Sequence, residues 1–324
     1  MLGWLKKYRA QKAHAKAMKA EYMRQRDANK GNVHFYNWWP VDDYTMLWLY
    51  QFVHNTGLLN ETDKQINFSS MFGEREVLNH VQDGVKVFFS GENLQLKWCA
   101  PYADALLEDK NCQLSLGFDY LEDKRYMRFP LWLTYVFEPT LDEKQIRERC
   151  EQLRHPEIGK REKFACMIAR ADISGIRTAM YEGLSEVGKV DCPSGLFHND
   201  DSLIKEFGDD KVKYMHQFAF NICPENSNAY GYCTEKVFEA IAAGCVPVYW
   251  GCNNEPEQKI LNQNAIIFWD KESNGAEAIA QIKSLSADKV QLDAFMRQPR
   301  LKEGAEEEVL RMMNELYSRI KALL

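Results

Sequence analysis

The chain has 324 residues, of which 45% are hydrophobic and 27% charged, with a formal net charge of −6. This length and apolar content suffice for two hydrophobic cores, so we expect two domains of roughly 150 residues each. Residues 1–30 carry nine Lys or Arg against Glu21 and Asp27, which leaves the rest of the chain strongly acidic; such a body argues against binding nucleic acid through its phosphates.

The basic leader, residues 1–30, is open to two interpretations. Its weak apolar stripe of Leu2, Trp4, Leu5 and Tyr8 fits peripheral contact with an anionic membrane surface. The alternative is a solvated helix rich in Ala and Lys. No apolar run of about 18 residues predicts a bilayer-spanning helix, and the charges of the leader do not fit a signal peptide.

In the first half of the chain, apolar patterning predicts short strands and two helices. The strands are Asn32–Tyr36, Val85–Ser90 and Gln113–Phe118, and the helices are Thr45–His54 and Asp142–Arg154. The aromatic segment Arg125–Phe137 fits neither pattern. The polar stretch His155–Lys163, with Pro156 and Gly159, is typical of a linker.

In the second half, strands and helices alternate. Strands are predicted at Phe164–Ala169, Lys189–Cys192, Phe218–Cys223, Val246–Trp250 and Ala265–Phe268, and helices at Gly175–Val187, Ser202–Phe207 and Thr234–Ala243. This alternation predicts α/β domains with covered parallel sheets. We therefore divide the chain into a basic extension (1–30), a first domain (31–155), a second domain (156–300) and a C-terminal amphipathic helix (301–324).

Three patterns argue against metal and kinase chemistry. The nine cysteines are odd in number and show no CxxC spacing, which favours reduced, buried thiols in a cytoplasmic protein over a zinc site. The segment Gly183–Val190 is similar to a P-loop, but Val190 replaces the Ser or Thr that holds magnesium, and the segment ends a helix. No Asp-x-Asp pair occurs, so a metal–diphosphate clamp is not predicted.

The tract Pro224–Gly251 is the richest in chemistry, because a polar, aromatic loop leads directly into a helix. Free N–H groups at a helix start favour a diphosphate, and Thr234 is predicted to cap this helix. Lys236 adds a point charge for phosphate oxygens. Glu235 suits a ribose diol, and Asn226 offers both a donor and an acceptor. The alternative is an ordinary capped helix with a solvated Glu–Lys pair.

Two further residues are candidates. Glu92 follows an apolar strand, and the carboxyl end of a parallel strand is where ligands bind and a base can act; the alternative is an exposed turn glutamate. Arg177, near the start of a helix, can brace a diphosphate bidentately, although a solvated arginine is the simpler interpretation.

Together these motifs resemble the α-1,3-fucosyltransferases of glycosyltransferase family 10, over about Val33 to Arg300. The signature is Glu225-Asn226-Ser227, Tyr230-Gly231-Tyr232, Thr234-Glu235-Lys236 and Pro247–Gly251. Supporting blocks are Asn37-Trp38-Trp39, Ser90–Asn93, Gly117-Phe118-Asp119 with Arg125-Tyr126 and Pro130-Leu131, and Ile176-Arg177. Residues 1–30 have no counterpart that aligns with the family.

The resemblance implies a GT-B fold, in which two Rossmann-like domains face each other across a cleft. It implies inverting transfer of L-fucose from GDP-fucose, bound by the second domain, to a hydroxyl (O3 is favoured) of N-acetylglucosamine in N-acetyllactosamine-type β-galactosides. It makes Glu92 the general base and assigns the diphosphate to Arg177 and Lys236. Glu235 then holds fucose or ribose; Asn226, Tyr230, Tyr232 and Thr234 complete the donor pocket, and Trp38, Trp39 and Asp119 join Glu92 in contacting the acceptor.

No cofactor is required under this hypothesis, and Mn or Mg is expected at most to stimulate. Another GDP-sugar as donor and a non-catalytic glycan-binding relative remain alternatives. The sequence leaves α-1,3 against α-1,4 linkage and the oligomeric state open. The expected setting is the bacterial cytoplasm, free or peripheral to the inner membrane, with lipopolysaccharide or Lewis-type surface glycans as products.

Overall fold

The computed structural model describes residues 2–107 and 112–324, with side chains from Lys6 onward. The side chains of Leu2, Trp4 and Leu5, part of the predicted apolar stripe, therefore lie outside the described part of the chain. The helices are α1 (Leu2–Ala28), α2 (Trp48–Asn55), α3 (Trp132–Val136), α4 (Glu143–Arg154), α5 (Ile176–Ser185), α6 (Ser202–Lys205), α7 (Lys211–Met215), α8 (Glu235–Ala242), α9 (Ala276–Ala287), α10 (Lys289–Met296) and α11 (Ala305–Leu323). The strands are β1 (Val33–Tyr36), β2 (Ile66–Ser69), β3 (Val85–Phe89), β4 (Leu114–Gly117), β5 (Tyr126–Arg128), β6 (Lys163–Cys166), β7 (Val190–Asp191), β8 (Phe218–Ile222), β9 (Val246–Tyr249) and β10 (Ile267–Phe268).

The chain forms two compact units. The first contains the chain up to Phe129, Glu138–Leu141 and Met312–Leu324, and the second contains Pro130–Phe137 and Asp142–Arg311. This division differs from the predicted boundary after residue 155, because α3 and α4 belong to the second unit. The physical reason is packing: the Trp132 ring of α3 stacks on Phe238 of α8 at 4.5 Å between centroids.

The leader is not a separate extension, because α1 belongs to the first unit. Lys6 to Lys19 are exposed except for the half-buried Met18, so this part matches the expected solvated helix. The last two turns instead pack on the unit, where Tyr22 stacks on Tyr36 at 5.7 Å between centroids. Sequence patterning did not indicate this anchorage, since it depends on contacts with residues far along the chain.

The first sheet is parallel, with the strands in chain order from β1 to β5. The strands predicted near Val33, Val85 and Leu114 are present, and the untyped segment Arg125–Phe137 contains both β5 and α3. The pattern predicted no strand at β2, where Asn67 and Ser69 look solvent-facing. Both are buried, and Asn67 donates from Nδ2 to the carbonyl of Asp83 at 2.7 Å.

The second sheet is also parallel, in the order β7–β6–β8–β9–β10. Because β6 lies between β7 and β8, the strand order reverses there, and the crevice outside the carboxyl ends of β6 and β8 is where such sheets bind ligands. The predicted helices and strands of this unit are present, while α7, α9 and α10 were not predicted.

All nine cysteines are buried free thiols, as the sequence predicted. In the described part of the chain, no helix combines the length and apolar character needed to cross a bilayer.

Candidate active site

A pocket with about 450 Å³ of empty space opens at the reversal point of the second sheet. Its walls come from Met167–Ala169 after β6, Asn221–Pro224 at the end of β8, and the helices α5, α7 and α8. The charged residues that line it are Arg177, Lys211, Glu235, Lys236 and Glu239. Three of these five, Arg177, Glu235 and Lys236, are candidates from the sequence.

The first turn of α8 forms part of the pocket wall. Thr234 occupies the N-cap position in an extended conformation, but its side chain accepts no capping hydrogen bond from a backbone amide of the helix. The predicted side-chain cap is therefore wrong, because the Thr234 hydroxyl donates to Oε2 of Glu225 at 2.6 Å. The amides of the first turn have no side-chain cap among the described residues, and such groups bind anions.

Glu225 holds the start of this helix through hydrogen bonds to Thr234 and Lys236. Its side chain is fully buried and accepts hydrogen bonds from the Thr234 amide at 2.7 Å and from the Tyr249 hydroxyl at 3.3 Å. The Lys236 ammonium donates to the same carboxylate at 3.2 Å and to the Thr234 hydroxyl at 2.7 Å. Sequence analysis gave Glu225 no role of its own, although its place just after the apolar strand β8 was a usable signal.

A glycine is required beside this carboxylate. Gly251 follows β9 with a φ of 137°, and a Cβ added there would lie 2.6 Å from Cγ of Glu225. A side chain at residue 251 would therefore strain the backbone and displace Glu225.

The charge of Lys236 is fixed by its surroundings. Burial by itself lowers the pKa of this lysine, but the charges of Glu225 and Glu235 outweigh burial and raise the pKa above its ordinary value. The ammonium lies 3.6 Å from the Glu235 carboxylate and its side chain keeps 22% of its surface exposed. Lys236 is thus a permanent cation facing the pocket, which is what stabilising a phosphate requires.

Arg177 and Asn226 meet although they are far apart in sequence. The guanidinium donates from Nη2 to Oδ1 of Asn226 at 2.7 Å and from Nη1 to the carbonyl of Ala171. The start of α5 is held by Asp172, whose carboxylate accepts from the amide and the hydroxyl of Thr178 at 2.8 Å each. These bonds position Arg177 at the pocket.

The two predicted tyrosines have contrasting environments. Tyr232 is 1% exposed and Tyr230 is 51% exposed. The pocket wall is formed by other residues, so the structure does not bring either ring together with Arg177 and Lys236 there.

Lys211 and Glu239 are pocket residues that the sequence did not single out. Nζ of Lys211 lies 3.7 Å from Oε1 of Glu239. Burial raises the pKa of Glu239 to about 7, with Lys211 opposing the shift and Glu235 adding to it. A carboxyl group that titrates near neutral pH beside an anion site makes ligand binding sensitive to pH.

The predicted acceptor residues all follow strands of the first sheet. Trp38 and Trp39 follow β1, Glu92 follows β3 and Asp119 follows β4, so they share its carboxyl edge. Glu92 is half-buried, and its backbone is held by the Ser90 hydroxyl, which accepts from the Glu92 amide and donates to the Glu92 carbonyl.

Asp119 and Trp38 differ in their access to ligands. Burial raises the pKa of Asp119, which lines a pocket of about 600 Å³ together with Asn93 and Gln95. Trp38 is only 9% exposed, because its ring packs on Phe35 and Phe89. Its predicted contact with the acceptor is thus limited to the small part of the side chain that lines a pocket. Within the described residues, no three His, Cys, Asp or Glu side chains gather as metal ligands would.

Two family models match the chain in order. Residues 33–135 match the alpha-(1,3)-fucosyltransferase FucT N-terminal domain, and residues 158–304 match the glycosyltransferase family 10 (fucosyltransferase) C-terminal domain.

Curated relatives agree with these matches. The alpha-(1,3)-fucosyltransferase FucT of Helicobacter pylori is 24% identical over 301 residues, which are 81% of this chain and 59% of the relative. A putative fucosyltransferase-like protein of Arabidopsis thaliana is 32% identical over 94 residues, 29% of this chain and 17% of the relative. The chain thus spans less than two thirds of the length of these relatives.

Solved structures show the fold. A crystal structure of an alpha1,3-fucosyltransferase superposes with a TM-score of 0.59 at 20% identity, covering 88% of this chain and 89% of the other. A crystal structure of alpha1,3-fucosyltransferase with GDP-fucose, also 20% identical, superposes with a TM-score of 0.56 and covers 88% of this chain and 89% of the other. The predicted GT-B fold is therefore confirmed, and, with both family models matched in chain order over most of its length, the chain belongs to glycosyltransferase family 10, the fucosyltransferases.

Proposed function

We propose that this protein transfers L-fucose from GDP-fucose to O3 of N-acetylglucosamine in N-acetyllactosamine-type glycans, with inversion at the anomeric carbon. The observation that carries the proposal is the pocket at the reversal point of the second sheet, where Arg177 and Lys236 face the uncapped start of α8. Family membership supports the reaction class, and the related crystal structures with GDP-fucose and GDP support the donor.

The donor half of the mechanism follows from charge. As the bond from fucose to the β-phosphate breaks, negative charge grows on the leaving diphosphate. Groups that bind this charge more tightly in the transition state accelerate the reaction. Lys236 stays protonated because of Glu225 and Glu235, and Arg177 is held in place by Asn226. Both cations act on the leaving group without requiring a metal in this proposal.

The acceptor half assigns proton removal to Glu92. Its position after β3 suits a base that takes the proton of the acceptor hydroxyl as the hydroxyl attacks. Glu92 belongs to the first unit and the donor pocket to the second, so transfer needs both. Glu235 is left with the fucosyl group or the ribose as its partner, since its carboxylate lines the donor pocket.

A panel of donors with one acceptor tests the proposal. GDP-fucose, GDP-mannose and UDP-galactose are each incubated with N-acetyllactosamine, and the products are identified by mass and linkage analysis. We expect an α-1,3-fucosylated product with GDP-fucose only. Transfer from another GDP-sugar would show that this sugar nucleotide, and not GDP-fucose, is the donor. Binding of GDP-fucose without any product would favour a non-catalytic, glycan-binding relative.

Lys236→Ala provides an independent check of the donor pocket. Removing the cation should weaken GDP-fucose binding and slow turnover together, because the charge contacts the diphosphate both in the enzyme–donor complex and in the transition state. Lys213→Ala, an exposed lysine on α7, is the matched control. Unchanged kinetics of Lys236→Ala would remove this lysine from the donor site.

We also propose a cytoplasmic setting, with α1 as the segment that contacts anionic membrane surfaces. The support is charge: the exposed basic residues of α1 include Lys6, Lys7, Arg9, Lys12, Lys16 and Lys19. Co-sedimentation with vesicles of phosphatidylglycerol and phosphatidylethanolamine tests the membrane contact. Recovery of the protein in the supernatant at low salt would contradict that contact.

A further inference from the structure

An open pocket in the first unit is walled on one side by α1. Its cavity volume is about 610 Å³, which is within the usual range for ligand pockets of roughly 300–1,000 Å³. From α1 come Glu21, Arg24 and Gln25. The opposite wall comes from the ends of β1 and β2 and includes Trp38 and Phe72.

Buried amides lock α1 against the edge of the sheet. Gln25 and Asn37 are 7% and 2% exposed. Two hydrogen bonds join them: Nε2 of Gln25 donates to Oδ1 of Asn37 at 3.1 Å, and the backbone N–H of Asn37 donates to Oε1 of Gln25 at 2.8 Å. Asn37 has a φ of 47°, so the chain turns out of β1 at this residue. Replacing either side chain with an apolar one would leave a buried polar group of the other residue without its hydrogen bond.

The α1 wall of the pocket carries an ion pair. Glu21 accepts from Nε and Nη2 of Arg24 at 2.8 and 2.5 Å and from Nε2 of Gln25 at 2.8 Å. Arg24 is 69% exposed, so its remaining N–H groups are accessible. A guanidinium and a carboxylate beside aromatic edges are the groups that bind vicinal hydroxyls and the apolar faces of sugar rings.

The location separates this pocket from the proposed base. The pocket lies at the ends of β1 and β2, whereas Glu92 follows β3. Neighbouring strands are about 4.8 Å apart, so β1 and β3 are separated by about 10 Å. A glycan whose reacting hydroxyl meets Glu92 would therefore present a different sugar residue to this pocket.

We propose that α1 forms the wall of an acceptor subsite, which binds a sugar of the glycan other than the one that receives fucose. The inference rests on the proposed function, and it makes α1 a determinant of acceptor length. This helix lies outside both matched family models, the first of which begins at residue 33.

The test compares two acceptors, N-acetyllactosamine and its linear dimer, in Arg24→Ala and Glu21→Gln. Lys19→Ala, an exposed position on the same helix, is the matched control. We expect each pocket variant to raise KM for the dimer about tenfold, as is typical for a lost polar contact. KM for the disaccharide and for GDP-fucose should stay within about twofold of wild type, and the control should match wild type throughout.

Binding of the dimer is measured separately by saturation-transfer NMR, without donor. Equal KM and equal binding in wild type and both variants would overturn the inference. If wild type binds the dimer through Arg24 but transfers no fucose, the proposed reaction fails while the subsite stands. Loss of dimer binding in Lys19→Ala as well would also overturn it, because the effect would then be general to the charge of α1.

Discussion

The carboxylate of Glu225 lies 3.2 Å from the ammonium of Lys236, with Glu225 fully buried and Lys236 reaching the donor pocket. The buried carboxylate thus fixes both the position and the charge of the partly buried lysine. Glu225 acts through Lys236 and is a positioning residue under the proposed function.

Glu225→Gln should preserve some hydrogen bonds but remove the charge that raises the pKa of Lys236. Without it, burial dominates and lowers that pKa, so deprotonation of Lys236 should bring the alkaline limb of the pH profile of kcat/KM to lower pH than in wild type, where the lysine stays charged. We expect kcat/KM to fall about 10- to 100-fold, since a partly buried cation loses its partner. Glu186→Gln, an exposed carboxylate, is the control. An unmoved alkaline limb would contradict the positioning role.

Glu92→Gln should bind GDP-fucose normally and transfer it slowly. A general base contributes about 10²- to 10⁴-fold, so kcat should fall in that range. Calorimetry gives donor affinity and single-turnover assays give the rate. Asp119→Asn is the informative comparison, because Asp119 follows the neighbouring strand and burial raises its pKa. If Asp119→Asn loses the rate and Glu92→Gln keeps it, the base has been misassigned.

Arg177→Lys should raise KM for GDP-fucose about tenfold, because lysine keeps the charge but cannot contact both Asn226 and a phosphate in a planar fork. A cycle with Asn226→Ala tests the 2.7 Å contact, and we expect a coupling of about 1 kcal/mol. Arg170→Lys, at an exposed site, should be silent. Strictly additive effects would show that the two residues act separately.

GDP-fucose affinity should decrease as pH rises through about 7, the pKa of Glu239. Ionised Glu239 repels the diphosphate, whose own charge does not change in this range, and Kd should rise about fivefold. Glu239→Gln should flatten the dependence. Between pH 4.5 and about 7 the folded protein keeps a proton on Glu239 that the unfolded chain has released, so the free energy of unfolding should fall as the pH rises through this interval. A melting temperature that rises with pH across the same interval would contradict the raised pKa of Glu239.

Transfer should persist after exhaustive chelation with EDTA, with Mn or Mg stimulating at most modestly. The reason is that Arg177 and Lys236 supply the positive charge that a metal supplies in other nucleotide-sugar enzymes. Chelated and metal-restored enzyme are compared at saturating donor. Complete loss of activity that a divalent cation reverses would mean that a metal performs this role.

Sequence patterning predicted the strands that carry the site because their apolar runs are contiguous, as in Val85–Phe89 and Val246–Tyr249. It also singled out Arg177, Glu235 and Lys236, which the structure brings to one pocket. It did not reveal the role of Glu225, although the place of this residue just after the apolar strand β8 was a usable signal. The anchorage of α1 could not be predicted, since Gln25 pairs with a residue beyond the helix.

The path of the chain has a consequence for dissecting the protein. The chain leaves the first unit after Phe129, returns at Glu138, leaves again at Asp142 and returns at Met312. Cutting once in the stretch 155–162 would give an amino-terminal piece that carries α3 and α4 of the other unit, and a carboxy-terminal piece that lacks them. Neither half is then a self-sufficient folding module, so the halves are suited to reconstitution as a split enzyme and not to separate expression.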